Sequence, residues 1–199
     1  MSTNPSTMQA VVSQVSAAAA GDVFTPRDFL HHGNRAAVDQ ALSRLARKGT
    51  LRRLCRGLYD KPRVHPTLGL LSPAPDTIAA ALARETGSQW QVSAARAANM
   101  LGLSQQVPAQ LVYLTDGPAR RVKVGRQVVV LKHTARKNLA GAGSQAGVVV
   151  QALRYLGRRH ATAAALRQVP NLDTAALRRL APDVTGWMSP ILASAGLPA

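Results

Sequence analysis

A single cysteine, Cys55, occurs among the 199 residues, so counting excludes an intrachain disulfide and a cysteine-clustered zinc site. Aromatic residues are scarce at 4%: Phe24, Phe29, Tyr59, Trp90, Tyr113, Tyr155 and Trp187. No uncharged apolar run approaches the roughly 18 residues that span a bilayer. The start MSTNPSTMQA lacks the basic and apolar regions of a secretory signal, so a cytoplasmic chain without a membrane partner is expected. Acidic residues are also few, nine against 25 Lys and Arg, for a net charge of +16. Such a surface seeks polyanions.

What is present narrows the reading. Apolar residues at 46% are enough for a core in one large domain or two small ones. Twenty of the cations are Arg, whose planar fork matches phosphate and guanine edges. One basic concentration runs from Arg44 to Arg63 and another from Arg120 to Lys137. Pro62, Pro66, Pro73 and Pro75 interrupt helix and discourage internal strand pairing, which places a domain boundary at 65/66.

In the first part, Met8 to Ala20 reads as a helix with Val11, Val15 and Ala18 at helical spacing. Thr25-Pro26-Arg27-Asp28 reads as the start of a second helix ending near His32, with Thr25 as cap and Pro26 in the first turn. Gly33 ends it and Asn34 caps a third helix, Arg35 to Lys48, whose stripe Val38, Ala41, Leu42 and Leu45 faces the core. Opposite that stripe lie Ala36, Gln40, Ser43 and Arg47, with Arg44 flanking. Small residues there permit close approach, Gln pairs bidentately with adenine, and Arg reaches guanine or phosphate. Thr50 to Asp60 reads as two strands around Cys55, Arg56 and Gly57. Strand alternation sends Arg52 and Arg53 to opposite faces, with Arg56 near the tip. This is a winged helix-turn-helix pattern, whose expected contacts to double-stranded DNA are Thr25, Arg27, Asn34, Arg35, Ala36, Gln40, Ser43, Arg44, Arg47, Arg52, Arg53, Arg56 and Lys61. The alternative is an interaction module whose basic faces are only solvated.

In the second part, Asp76 and Ser93 read as helix caps. Leu111 to Thr115, Val122 to Val124 and Val128 to Lys132 read as strands, the last two joined at Gly125 and Arg126. Helices follow at Gln145 to Arg159, then around Leu166, Leu177 and Trp187 to Ala195. The fold class is therefore α+β, with a small antiparallel sheet and several helices after the winged domain. Arg120, Arg121, Lys123, Arg126 and Lys132 form a second basic surface that follows a nucleic-acid backbone, touches an acidic protein or sits in water. This segment has no aromatic stacking platform, which disfavours reading single-stranded RNA by base stacking. Gly141 to Gly147 precedes a helix without the Walker or dinucleotide spacing and reads as a flexible loop.

Five scattered histidines show no metal-ligand spacing, and the nine carboxylates no acid and base pair, so neither catalysis, metal nor cofactor is expected. A small basic nuclease or transferase is the enzyme alternative.

The runs Arg35 to Leu45, Gly49 to Arg53 and Arg56 to Asp60 resemble the amino-terminal domain of AbiEi-type antitoxins. Ala97 to Pro108 and Val112 to Gly117 resemble that family's following domain, so the resemblance spans roughly residues 8 to 190. It implies a type IV toxin-antitoxin role: repression of its own operon through operator inverted repeats, and opposition, without a stable complex, to a nucleotidyltransferase-like toxin encoded beside it. On this reading residues 1–65 bind DNA and residues 66–199 carry the antitoxic role. The competing reading is an antitoxin that binds an acidic toxin directly.

Overall fold

The computed structural model describes residues 6–106 and 110–196; Val107 and Pro108, at the end of one resembling segment, lie outside the described residues. The fold is α+β, in two compact units. Residues up to Gly87, together with Arg121–Val129, form the first unit, and Ser88–Arg120 with Val130 onward form the second. The units thus divide elsewhere than at the proline-rich stretch.

Helix α1, Thr7–Ala17, starts on a capping box: the Ser6 hydroxyl accepts from Gln9 N–H at 3.3 Å, and Ser6 N–H donates to Gln9 Oε1 at 3.0 Å. It stops three residues earlier than the sequence suggests. Lys61 Nζ donates to the carbonyls of Ser16 and Ala18, each at 2.8 Å, and satisfies the open helix end. Strand β1, Val23–Phe24, pairs antiparallel with β3. The expected second helix is 3-10, Pro26–His32. Asp28 holds its entry, accepting from the N–H and the hydroxyl of Thr25 at 2.8 and 3.2 Å. Gly33 is required by close approach: a Cβ there would fall 2.4 Å from Thr7 Oγ1, which itself donates to the His32 carbonyl.

Helix α2, Arg35–Arg47, begins where expected, with Asn34 Oδ1 accepting from Ala37 N–H at 2.9 Å. Val38, Ala41, Leu42 and Leu45 are all buried, packed with Val11, Val15, Phe29 and Leu51 in one core. Strands β2, Arg52–Cys55, and β3, Leu58–Asp60, form the wing, and β3 is central in the order β1-β3-β2. The β2–β3 register shifts between Arg53 and Cys55, a bulge just before the tip.

Two further elements join this unit. Strands β4, Arg63–His65, and β5, Gly69–Leu71, make a hairpin inside the proline-rich stretch, where the prolines are expected to discourage internal strand pairing. Pro62 and Pro73 flank the strands and Pro66 lies in the turn, where no ladder N–H is needed. Helix α3, Pro75–Thr86, has Pro75 in its first turn and Ala74 at the cap position, so Asp76 sits inside the first turn and does not cap. Arg84, from its last turn, donates to Asp28 Oδ1 at 3.1 Å and to the Val23 carbonyl at 2.9 Å.

The second unit holds strand β6, Trp90–Val92, which the sequence reading missed, and helix α4, Ala94–Met100, behind Ser93. Strand β7, Leu111–Thr115, matches its expected span. Strands β8, Arg120–Val124, and β9, Gln127–His133, fall partly in the first unit, and the sheet order is β6-β7-β9-β8, four strands against the three expected. Helix α5, Gln145–His160, starts at Ser144, whose hydroxyl accepts from Gly147 N–H at 3.1 Å. Gly147, the last residue of the expected loop, thus lies inside the helix, and Gly157, at φ 69°, breaks the last turn. Helices α6, Ala163–Arg167, α7, Thr174–Leu180, and α8, Ser189–Ala193, close over Val149, Leu153, Leu166, Leu177 and Leu192.

Candidate nucleic-acid interface

Burial of one stripe of α2 leaves Arg35, Ala36, Gln40, Arg44 and Arg47 exposed and Ser43 half-buried. Asp39, on the same helix, would repel phosphate, but Arg35 Nε donates to its carboxylate at 3.0 Å. Arg47 Nη2 lies 3.4 Å from Ser43 Oγ, which orients its guanidinium along the helix face. Gln40 and Arg44 line the same shallow depression as Asp39, Ser43 and Arg47.

On the wing, alternation separates the two neighbouring arginines as expected. Arg53 and, in the turn, Arg56 are exposed. Arg52 instead pairs with its cross-strand neighbour Asp60, whose side chain is 1% exposed. Arg52 Nε donates to Asp60 Oδ1 at 2.9 Å, and its Nη2 also donates to the Leu71 carbonyl at 2.8 Å. One arginine is thus free for a polyanion, and the other fastens the wing to β5.

Other candidates from the sequence also have internal partners. Thr25 is wholly buried, Asn34 caps α2, and Lys61 caps α1. Arg27 Nη1 donates to the Glu85 carbonyl at 3.0 Å, at the end of α3. Arg63, counted in the first basic concentration but not among the expected DNA contacts, is exposed on β4; the sequence reading missed Arg84, which positions the 3-10 helix. Arg84 and Asp28 are 56 residues apart, and no local pattern signals such a contact.

The second basic set is split. Arg121 and Lys123 are exposed and alternate with buried Val122 and Val124, and Arg126 is exposed in the turn. These three belong with the first unit, whereas Arg120 and Lys132 belong with the second.

His31 and His32 close the 3-10 helix just before α2, their rings 3.8 Å apart. His32 Nε2 donates to Gln14 Oε1 at 2.8 Å. Desolvation, and secondarily the neighbouring His31, lower the His32 pKa from 6.5. The native state therefore favours the neutral ring, and the unfolded chain binds more protons below pH 6.5. This contribution to stability is present above about pH 6.5 and is lost as pH falls towards the native pKa. Thermal unfolding followed from about pH 7.5 to about 5.5 should show a falling Tm, with a shallower fall in His32→Gln. Equal slopes in the two proteins would remove His32 as the cause.

Among the described residues no group of three or more His, Cys, Asp or Glu is placed to hold a metal ion, and no helix is long and apolar enough to cross a membrane. Residues 10–178 match a family described as a family of unknown function, DUF6088. No curated protein sequence matches the chain. Among solved structures, the crystal structure of RV2827C protein from Mycobacterium tuberculosis is similar at 18% identity with a TM-score of 0.40, over 98% of this chain and 83% of that one.

Proposed function

We propose that this chain, which belongs to the DUF6088 family of unknown function, is a sequence-specific double-stranded-DNA-binding repressor acting in the cytoplasm. The observation that carries this reading is the surface of α2. Its apolar stripe is wholly occupied by the core, and its outward side presents Gln40, Arg44 and Arg47 beside a wing with Arg53 and Arg56 exposed. A helix in the major groove reads base edges with such side chains, while a neighbouring hairpin holds phosphates or the adjacent minor groove.

The regulated target follows from the resemblance to AbiEi-type antitoxins: the chain's own operon, read through inverted repeats. The same resemblance supports an antitoxic role for the second unit against a nucleotidyltransferase-like toxin, without a stable complex.

Selection of bound duplexes from a random pool, followed by anisotropy titration, tests the DNA reading. Gln40→Ala should weaken binding to the selected site by about 1 to 3 kcal/mol while leaving random duplex nearly unaffected, because a bidentate base pair is lost. Equal losses on both would recast Gln40 as a backbone contact, and failure to enrich any duplex would sink the proposed function.

A further inference from the structure

The β4–β5 hairpin carries the most exposed large apolar side chains described in the first unit. Val64, Leu68 and Leu70 are 69%, 73% and 52% exposed. Val64 stands opposite Leu70 across the strands, so these two share a face, and Leu68 sits in the turn at its end. Arg63 and His65, one residue out of phase with Val64, point to the other face. His65 shapes the turn, its Nδ1 accepting from the Thr67 N–H at 3.2 Å and the Leu68 N–H at 3.3 Å. The sheet has two strands, and among the described residues no third strand pairs with either outer edge. Sheet edges are ordinarily blunted by charge, and an apolar one invites another strand.

We propose that the Val64, Leu68 and Leu70 face is a contact between two copies of this chain, hairpin against hairpin. Charge selects the occupant. On a chain of net charge +16, an acidic partner or a phosphate backbone is met by the arginine-bearing faces. Within the hairpin Arg63 and His65 lie on the other face, so two equally basic molecules meet here without those side chains directly opposed, the same patch serving both. Area sets the strength. Three side chains offer on the order of 100 Å² each, well below the roughly 800 Å² per partner of a stable interface. The contact is therefore weak and is opposed by repulsion between the two net charges. That repulsion reaches about 30 Å at 0.01 M salt but only about 3 Å at 1 M. Association should rise with salt, the opposite of an interface held by ion pairs. If the chain binds DNA as proposed above, the duplex supplies the same neutralisation and the contact becomes cooperativity between neighbouring copies. That consequence rests on the functional reading, whereas the contact does not.

Sedimentation velocity of the full chain at about 0.05 M and about 1 M NaCl tests the contact. The association constant should rise at least about tenfold with salt, reversibly on dilution. Val64→Thr/Leu70→Thr, which keeps strand propensity on an exposed face, should stay monomeric at both. Thr67→Cys in a Cys55→Ser background should give bismaleimide-linked dimers at high salt. A wild-type chain monomeric at both salts overturns the proposal, and so does a dimer that the double substitution leaves intact. Gel shifts on duplex DNA are read separately: absence of DNA binding sinks the functional reading alone, and salt-induced dimers would stand without it.

Discussion

Arg52→Ala is expected to destabilise the chain by about 3 to 5 kcal/mol, although Arg52 sits on a basic wing and reads in the sequence as a DNA contact. The substitution leaves the Asp60 carboxylate, 1% exposed, buried without its counter-ion, and breaking a buried pair from one side carries a penalty of that size. It also removes the donor that reaches the Leu71 carbonyl. Urea unfolding measures the loss. The double variant Arg52→Leu/Asp60→Leu should recover most of it, because no uncompensated charge remains. A loss below about 1 kcal/mol would mark the pair as a surface ion pair and free Arg52 for other work.

The complementary expectation concerns Arg44 and Arg47, both exposed on α2. Arg44→Ala/Arg47→Ala should leave unfolding nearly unchanged, since neither side chain contributes to the core around Leu42 and Leu45. DNA affinity should fall at least about a hundredfold, because each charge-assisted hydrogen bond to phosphate or guanine is worth about 1.5 to 3 kcal/mol. If both arginines hold phosphates, the slope of log K against log salt should flatten by about 2. A slope unchanged with affinity lost would assign them to bases. In cells the double variant should lose repression yet still rescue growth when toxin is expressed from an unrelated promoter. If the folded variant fails to rescue, the antitoxic role requires the DNA-binding face, and the separation of roles proposed for this family member is wrong.

Elements whose causes lie within one or two turns of chain were legible from residue order. The Asn34 cap, the stripe Val38, Ala41, Leu42 and Leu45, the opposed faces of Arg52 and Arg53, and strand β7 all follow from local hydrogen bonding and periodicity, as does the composition of the α2 surface. Prolines misled the reading between 62 and 75, because their exclusion from a ladder depends on which N–H groups face a partner, and here they occupy the flanks and the turn. Strand β6, three residues long, offers too few alternations to register as a pattern.

Assignment of Arg27, Arg52 and Lys61 to their distant partners came only with the tertiary structure. Arg27, Arg35, Arg52 and Lys61 carry the same positive charge as Arg53 or Arg56, and Thr25 and Asn34 stand beside them among the polar candidates. What separates them is the nearby acceptor or donor: Asp28, the Glu85 carbonyl, Ala37 N–H, Asp39, Asp60, and the end of α1. For Arg27 and Lys61 that partner is 58 and 45 residues away. The same holds for Arg121, Lys123 and Arg126, which chain order places in the second half and contacts place in the first unit. Charge and amphipathic stripes are properties of a segment and survive in the unfolded chain, so the sequence alone determined a basic chain with a polar, arginine-bearing face on α2. Which cations that surface keeps for a ligand depends on approach between distant segments, and that exists only once the chain has closed on itself.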